Sequence, residues 1–235
     1  MSRDDTPQSP SPLSTQTSPC SAPIDVMHVE NWVFDLDNTL YRAHGEFFTQ
    51  IVDNITKYIS RYLAMHLTEA RILQKQYLRE YGTSLSGMMA VHGMDPADFL
   101  DYVHDVDLAS LKPNPELYKG LERLPGRKFI YTNGSRGHAK NIAGHLGIWD
   151  LFDGVFAIED GDYIAKPKPQ PYAKFIKEFD INPHTALMAE DSPLNLEVPR
   201  ALGMQTLLVA PPQMGTPEYV DYQTNDLPKW LLDLS

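Results

Sequence analysis

The sequence predicts an α/β fold, a doubly wound parallel sheet that carries an inserted all-helical cap. Three observations lead to this fold class. Short apolar runs alternate with helical patterns after residue 112, and such alternation is typical of a parallel sheet with helices on both faces. An earlier apolar run, Asn31–Phe34, ends in a polar loop and reads as a first strand. The stretch between these regions has helical periodicity and no convincing strand.

Helical periodicity extends through the inserted stretch, residues 44–111. Apolar side chains recur at three- and four-residue steps between Phe47 and Tyr62, as expected for an amphipathic helix. A second pattern starts at Thr68 and ends at Gly82. Shorter helical patterns cover residues 85–91 and 96–104. We therefore expect the insertion to be a helical cap that follows the first strand.

Four more strands and three helices are expected after the insertion. The strands are predicted at residues 128–131, 154–157, 185–189 and 205–209. The helices are predicted at residues 136–146, 170–179 and 193–202. Pro199 lies inside the last helical pattern, and because it has no backbone N–H it should kink that helix or end it early.

Composition divides the chain into four parts. Residues 1–25 are rich in Ser, Thr and Pro and are expected to be disordered, because they bury too little apolar surface to offset their ordering entropy. The core domain is predicted to comprise residues 26–43 and 112–210, with the cap at 44–111. Residues 211–235 form a C-terminal extension, which the sequence allows to pack on the core or on another subunit.

Net charge and cysteine content limit the partners and the cellular compartment that we expect for the chain. The chain of 235 residues has a formal net charge of −11, which argues against nucleic acid as a partner because such proteins need cationic patches. The single cysteine, Cys20, permits no intrachain disulfide and fits a reducing compartment. No apolar run approaches the roughly 18–20 residues of a membrane helix, and no signal-peptide core is present. We expect a cytoplasmic chain, monomeric or homodimeric, without nucleic-acid or membrane partners.

A polar cluster follows each of four predicted strands. The clusters are Asp35–Thr39, Thr132–Gly134, Lys166–Pro167 and Glu190–Ser192. In open α/β sheets, ligands bind beyond the carboxyl ends of the strands. Taken alone, each cluster has an ordinary structural explanation, such as a turn, a helix cap or a surface lysine. Their order, with one cluster after each strand, favours a single reaction centre.

The residue types in these clusters suit phosphoryl transfer. Two carboxylates spaced like Asp35 and Asp37 can face one pocket, where one serves as nucleophile and the other as proton donor. A carboxylate that attacks a phosphate dianion meets charge repulsion, so the site needs cations. Asp191, Asp35 and the backbone carbonyl of Asp37 would form an oxygen cage suited to Mg²⁺. Lys166 would neutralise further charge, and the hydroxyl of Thr132 would hold the phosphoryl oxygens.

The four clusters resemble the motifs of the haloacid dehalogenase (HAD) superfamily, and the likeness extends from about Val29 to Ala210. The motifs that carry it are Phe34–Leu40, Thr132–Gly134, Lys166–Pro169 and Glu190–Ser192. The Asp-Asn-Thr-Leu-Tyr ending of the first motif and the helical insertion are similar to the pyrimidine 5′-nucleotidase group. The resemblance implies a HAD-like Rossmannoid core with a mobile cap, and it marks Tyr81 and Thr83 as cap residues that set specificity.

The resemblance also implies roles for individual residues. Asp35 is expected to attack phosphorus and form an aspartyl-phosphate, while Asp37 protonates the leaving alcohol and then activates water. Thr132 and Asn133 are expected to bind the phosphate together with Lys166, which also stabilises the intermediate. The second aspartate of the first motif favours phosphate esters over haloacids, because the dehalogenases of this superfamily lack it.

Metal binding is implied in the same way. Asp191 is expected to ligate Mg²⁺ together with Asp35 and Asp37, whereas Glu190 is expected to contact a water bound to the metal. Lys168 is a rival candidate for the catalytic lysine. The Lys-Pro-x-Pro-x-x-Tyr pattern favours Lys166.

The resulting hypothesis is a magnesium-dependent phosphomonoesterase that acts on pyrimidine nucleoside 5′-monophosphates. One alternative is a phosphatase of the same fold for sugar phosphates or other small metabolites. Another is a non-catalytic binding or regulatory protein that keeps the fold, against which the complete set of predicted catalytic residues argues.

Overall fold

The computed structural model describes residues 26–42, 45–211 and 216–234. The predicted tail with Cys20, and His44 at the start of the predicted cap, lie outside these residues. Within them, six parallel strands form one sheet. In chain order the strands are β1 (Asn31–Phe34), β2 (Arg127–Tyr131), β3 (Gly154–Phe156), β4 (Ala186–Glu190), β5 (Gln205–Val209) and β6 (Tyr222–Thr224). Across the sheet the order is β3-β2-β1-β4-β5-β6, so it reverses beside β1, where sheets of this kind bind ligands.

The central strand β1 is buried on both faces of the sheet. Trp32 and Phe34 belong to one apolar core, while Val33, between them, belongs to the core on the other face. This is the two-residue period of a strand, and burial on both sides explains why the run shows no polar alternation. The predicted fold class, a doubly wound parallel sheet, is confirmed.

Between β1 and the helix that precedes β2, the described residues form four α-helices. They are α1 (Glu46–Leu63), α2 (Leu67–Tyr81), α3 (Ser84–His92) and α4 (Pro96–Val103). Tyr58, Met88 and Phe99 are buried in a core of the cap itself, to which Ile158 and Ala165 of the main domain also contribute. The helical character of the insertion is as predicted. Through this shared core, the cap packs against the segment that follows β3.

In the described ranges, five more α-helices follow the cap. They are α5 (Pro115–Arg123), α6 (Arg136–His145), α7 (Pro169–Glu178), α8 (Glu197–Leu202) and α9 (Leu227–Leu232). The predicted helix 193–202 is divided into a 3₁₀ turn, Pro193–Leu196, and α8. Pro199 is the third residue of α8, where a backbone N–H has no partner within the helix, so the interruption lies before the proline rather than at it. None of the helices in the described ranges combines the length and apolarity needed to cross a membrane.

The described part of the C-terminal segment packs on the core. β6 extends the sheet beside β5, and Leu227, Trp230 and Leu231 are buried in the same core as β1. A Cβ built on Gly120 of α5 would lie 2.8 Å from the Cβ of Leu231, so α5 and α9 are in close contact. The sequence had left open whether this segment packs on the core.

Candidate active site

Asp35 lies at the carboxyl end of the central strand. Its backbone N–H donates to the carbonyl of Ala189 at 2.9 Å, which continues the pairing of β1 with β4 past the end of β1. The residue is 5% exposed. The order of the strands therefore places this carboxylate between the loops that follow β2 and β4.

Lys166 is the cation in contact with Asp35. Its Nζ donates to Asp35 Oδ1 at 2.7 Å, to Glu190 Oε1 at 2.9 Å and to the carbonyl of Tyr131 at 2.9 Å. Three acceptors match the three protons of an ammonium group. The Lys166 side chain is 1% exposed, whereas the rival Lys168 is exposed.

The loop after β2 supports this lysine and borders the site. The Asn133 side chain accepts from the Lys166 N–H at 2.8 Å and donates to the Lys166 carbonyl at 3.3 Å. Thr132 is 1% exposed, and its hydroxyl oxygen accepts from the Gly134 N–H at 2.9 Å. Asn133 thus connects the second and third motifs, a contact that the sequence did not indicate.

Three carboxylates meet at this edge of the sheet. Asp35, Glu190 and Asp191 each offer an oxygen within 4.8 Å of the others. Glu190 is 1% exposed and accepts on both oxygens, since Asn195 and Lys166 donate to Oε1 and the Ser192 N–H donates to Oε2. Asp191 is only partly buried. Glu190 is therefore held by protein donors.

Electrostatics in the cluster reflect an excess of negative charge. Burial raises the pKa of Asp35 well above its ordinary value, although Lys166 opposes the shift. Burial and the neighbouring Glu190 raise the pKa of Asp191 to about 7. Burial alone would lower the pKa of Lys166, but Asp35 and Glu190 outweigh it and raise the pKa, so the ammonium stays charged. The cluster holds three carboxylates against one ammonium.

Asp37 has different neighbours from Asp35. Its Oδ1 accepts from the Tyr41 hydroxyl, and His138 Nε2 lies 3.0 Å from the same oxygen. Burial would raise the pKa of Asp37, but His138 and the hydrogen bonds from His138 and Tyr41 lower it to about 2. The sequence did not indicate His138 because nothing in a single histidine of a helix shows what it faces. Tyr41, four residues after Asp37, could have been considered from its place in the first motif.

A cavity of about 470 Å³ opens between the core and the cap. The core contributes Asp37, Asn133 and Gly134, and the cap contributes residues of α1 and α2 together with Thr83. Thr83 also caps α3, because its hydroxyl oxygen accepts from the Ser86 N–H at 3.0 Å. Tyr81, the other predicted specificity residue, borders a separate groove beside Pro167. Of this pair, only Thr83 lines the cavity that Asp37 also lines.

An open parallel sheet, an acidic pocket at its carboxyl edge and a helical cap beside that pocket define a class of capped α/β enzymes. The sequence places the chain within that class, since residues 32–203 match the haloacid dehalogenase-like hydrolase family. The chain belongs to this family, as its four motifs predicted. The narrower nucleotidase group stays a prediction.

Individual proteins show what the chain is similar to. It is 31% identical over 155 residues to phosphate metabolism protein 8 of Saccharomyces cerevisiae, covering 58% of this chain and 47% of that protein. It is 26% identical over 197 residues to the phosphoglycolate phosphatase of Rhodospirillum rubrum, covering 76% of this chain and 78% of that protein. The HAD phosphatase of Thermococcus onnurineus shares the fold, with a TM-score of 0.59, 20% identity and coverage of 86% and 96%. The chain spans about half the length of the yeast protein.

Proposed function

We propose that the chain is a magnesium-dependent phosphomonoesterase that acts through an aspartyl-phosphate on Asp35. The observation that carries the proposal is the meeting of Asp35, a buried lysine and two further carboxylates at one edge of the sheet. Such a group is costly for a fold, because buried charges need compensation. The relatives support the same chemistry, since two of them are named as phosphatases.

The reaction has two halves. In the first, a bond forms between a carboxylate oxygen of Asp35 and phosphorus while the ester P–O bond breaks. Asp37 is ionised before substrate binds; it takes up a proton when the negatively charged ester binds beside it and raises its pKa, and it gives this proton to the leaving oxygen. In the second, water attacks the aspartyl-phosphate and passes a proton to Asp37. Lys166, 2.7 Å from Asp35 Oδ1, neutralises negative charge throughout. Thr132 holds the phosphoryl oxygens, and Asn133 assists by fixing the Lys166 backbone.

The donor set at the site fits a divalent cation. Asp35, Glu190 and Asp191 supply only oxygen atoms, the donor type that Mg²⁺ prefers. The neighbouring carboxylates repel one another, which contributes to the raised pKa of Asp191. A bound cation would relieve this repulsion. Because protein donors already occupy both oxygens of Glu190, the proposed ligands are Asp35, Asp191 and the backbone carbonyl of Asp37. A magnesium ion bound there would supply positive charge beside the phosphoryl oxygens.

The cavity supports a substrate with a sizeable leaving group, and we propose a pyrimidine nucleoside 5′-monophosphate. Its volume of about 470 Å³ lies in the usual range for small-molecule sites, roughly 300–1,000 Å³. Phe48, Ile51, Ile55 and Leu78 give it an apolar wall, which suits the face of a base. Thr83 and Ser84 both line the cavity from the cap side, and we propose that the Thr83 hydroxyl hydrogen-bonds such a base.

A smaller anionic phosphate ester is the second candidate. Arg71 and Lys75 also line the cavity, and a substrate that carries a carboxylate besides its phosphate would use these cations. The relative named as a phosphoglycolate phosphatase is consistent with this class. Sugar phosphates stay as an alternative within the same chemistry.

A substrate panel with purified protein and Mg²⁺ tests the proposal. The panel contains UMP, CMP, phosphoglycolate, several sugar phosphates and an aryl phosphate, and phosphate release is measured with and without EDTA. We expect fastest turnover of UMP or CMP, and loss of all turnover with EDTA. Preference for phosphoglycolate or sugar phosphates would keep the mechanism and change the substrate. Absence of turnover across the panel would instead favour a non-catalytic protein.

The Asp35→Asn variant tests the nucleophile. It should lose phosphate release from the aryl phosphate while leaving the fold intact, as judged by circular dichroism. The matched control is Asp101→Asn, an exposed aspartate in α4, which should keep full activity. Full activity in Asp35→Asn would exclude the aspartyl-phosphate route.

A further inference from the structure

His138 is a buried side chain next to the proposed acid. It lies in α6, is 2% exposed, and its Nε2 is 3.0 Å from Asp37 Oδ1. The Tyr41 hydroxyl donates to the same oxygen. The other oxygen of Asp37, Oδ2, lies 3.6 Å from where a Cβ on Gly134 would be, next to the loop proposed to bind phosphate. The two carboxylate oxygens of Asp37 therefore have different surroundings.

His138 is held in place through its backbone and through its ring. Its backbone N–H donates to Ser135 Oγ at 3.1 Å. Its ring stacks on the ring of His104, with centroids 4.2 Å apart and planes inclined by 20°. His104 follows the last helix of the cap, and its Nδ1 lies 2.9 Å from Ser135 Oγ. Burial and the neighbouring His138 lower the pKa of His104 to about 3, so His104 is neutral and can stack without charge repulsion.

We propose that His138 is a positioning residue for Asp37, which fixes Oδ1 and leaves Oδ2 as the oxygen that exchanges the proton with substrate. This inference rests on the proposed function. As the ester P–O bond breaks, its electron pair moves to the leaving oxygen, which takes the proton from Asp37 Oδ2. In the second half, the attacking water returns a proton to Oδ2. His104 of the cap holds the His138 ring in place by stacking on it.

The test compares two substrates of similar shape that differ in how much they need an acid. Phenyl phosphate releases a weakly acidic phenol, whereas p-nitrophenyl phosphate releases a good leaving group that needs little proton donation. The first turnover is measured by rapid mixing, so that the rate of leaving-group release is separated from breakdown of the aspartyl-phosphate. In His138→Ala we expect that rate to fall about 10- to 100-fold for phenyl phosphate, and about threefold or less for p-nitrophenyl phosphate. KM for both substrates should stay within about twofold of wild type.

Rescue and control variants distinguish positioning from general damage. His138→Gln should recover most of the phenyl phosphate rate, because the glutamine Nε2 can donate to Asp37 from a similar position. Tyr41→Phe removes the other donor to Oδ1 while keeping the ring that packs edge-on against Phe47, and it should show the same selective loss even if His138→Ala does not fold. The control is His145→Gln, an exposed histidine of the same helix, which should behave as wild type.

Two results would overturn the inference. One is an equal slowing of both substrates in folded His138→Ala and Tyr41→Phe, and the other is a His138→Gln rate no better than that of His138→Ala. Failure of the proposed function is seen separately, because the wild-type chain with Mg²⁺ would then release neither phenol.

Discussion

Replacing Lys166 with Met should destabilise the metal-free protein and abolish turnover. The ammonium lies 2.7 Å from Asp35 Oδ1 and 2.9 Å from Glu190 Oε1, and its side chain is 1% exposed. Methionine has a similar length but no charge, so the variant keeps the packing and leaves both carboxylates without their cation. The loss should therefore be electrostatic and should depend on pH.

The size of the loss can be estimated from these distances. At an effective dielectric constant of about 20, unit charges this far apart attract by about 6 kcal/mol for each pair. Most of that attraction is offset in the wild type by desolvation of the ammonium, and removing one partner of a buried pair costs about 3–5 kcal/mol net. We expect the free energy of unfolding to fall by about 3 kcal/mol near neutral pH. Part of the loss should be recovered toward about pH 5, because burial raises the pKa of Asp35 and this carboxyl therefore binds a proton more readily in the folded than in the unfolded chain.

Urea unfolding followed by tryptophan fluorescence measures this free energy, since Trp32 and Trp230 are both buried. The control is Lys168→Met, two residues further along and exposed, which should change stability by less than about 0.5 kcal/mol. If Lys166→Met were as stable as Lys168→Met at every pH, the ammonium could not be compensating the carboxylate cluster. The Coulombic explanation of the site would then be refuted.

Two other predictions concern the loop and the metal. Asn133→Ala removes both side-chain contacts to the Lys166 backbone. We expect the free energy of unfolding to fall by about 1–2 kcal/mol and kcat in the phosphate-release assay to fall about tenfold. An unchanged kcat would contradict the role of this amide. Asp191 has a pKa raised to about 7 from 3.8, so its proton is bound more tightly in the folded than in the unfolded chain, and the stability of EDTA-treated protein should fall as the pH rises between about 4 and 7. Mg²⁺ should raise the melting temperature more at the upper end of that range, and an equal shift at both ends would contradict the metal site.

The sheet and the four motif clusters could be predicted because each depends on local sequence. A strand such as β1 is a short apolar run followed at once by polar residues, and that pattern is visible without knowing its neighbours. The parallel arrangement followed from strands alternating with helices. Asp35, Lys166 and Asp191 could then be placed at one edge, since all parallel strands end on the same side.

The parts that could not be predicted depend on contacts between distant segments. β6 is three residues long and only partly buried, so it becomes a strand only because β5 offers an open edge beside it. Asn133 is predicted to bind phosphate, and its side-chain contacts with the Lys166 backbone, 33 residues away in sequence, could not be foreseen from the sequence. The stacking of His104 on His138 joins the cap to the core. The spacing of residues along the sequence does not indicate which rings contact each other.

The acidic cluster contains more carboxylates than the stability of the fold requires. One carboxylate is enough to neutralise the charge of Lys166. Each additional buried carboxylate costs desolvation free energy without a further cation to offset it. The structure nevertheless surrounds this lysine with Asp35 and Glu190 and brings Asp191 within 4.8 Å of both. Packing gains nothing from that surplus, which supports the proposal of a divalent cation at this site. In that proposal, the negative charge that destabilises the cluster is the same charge that would bind the cation beside the phosphate.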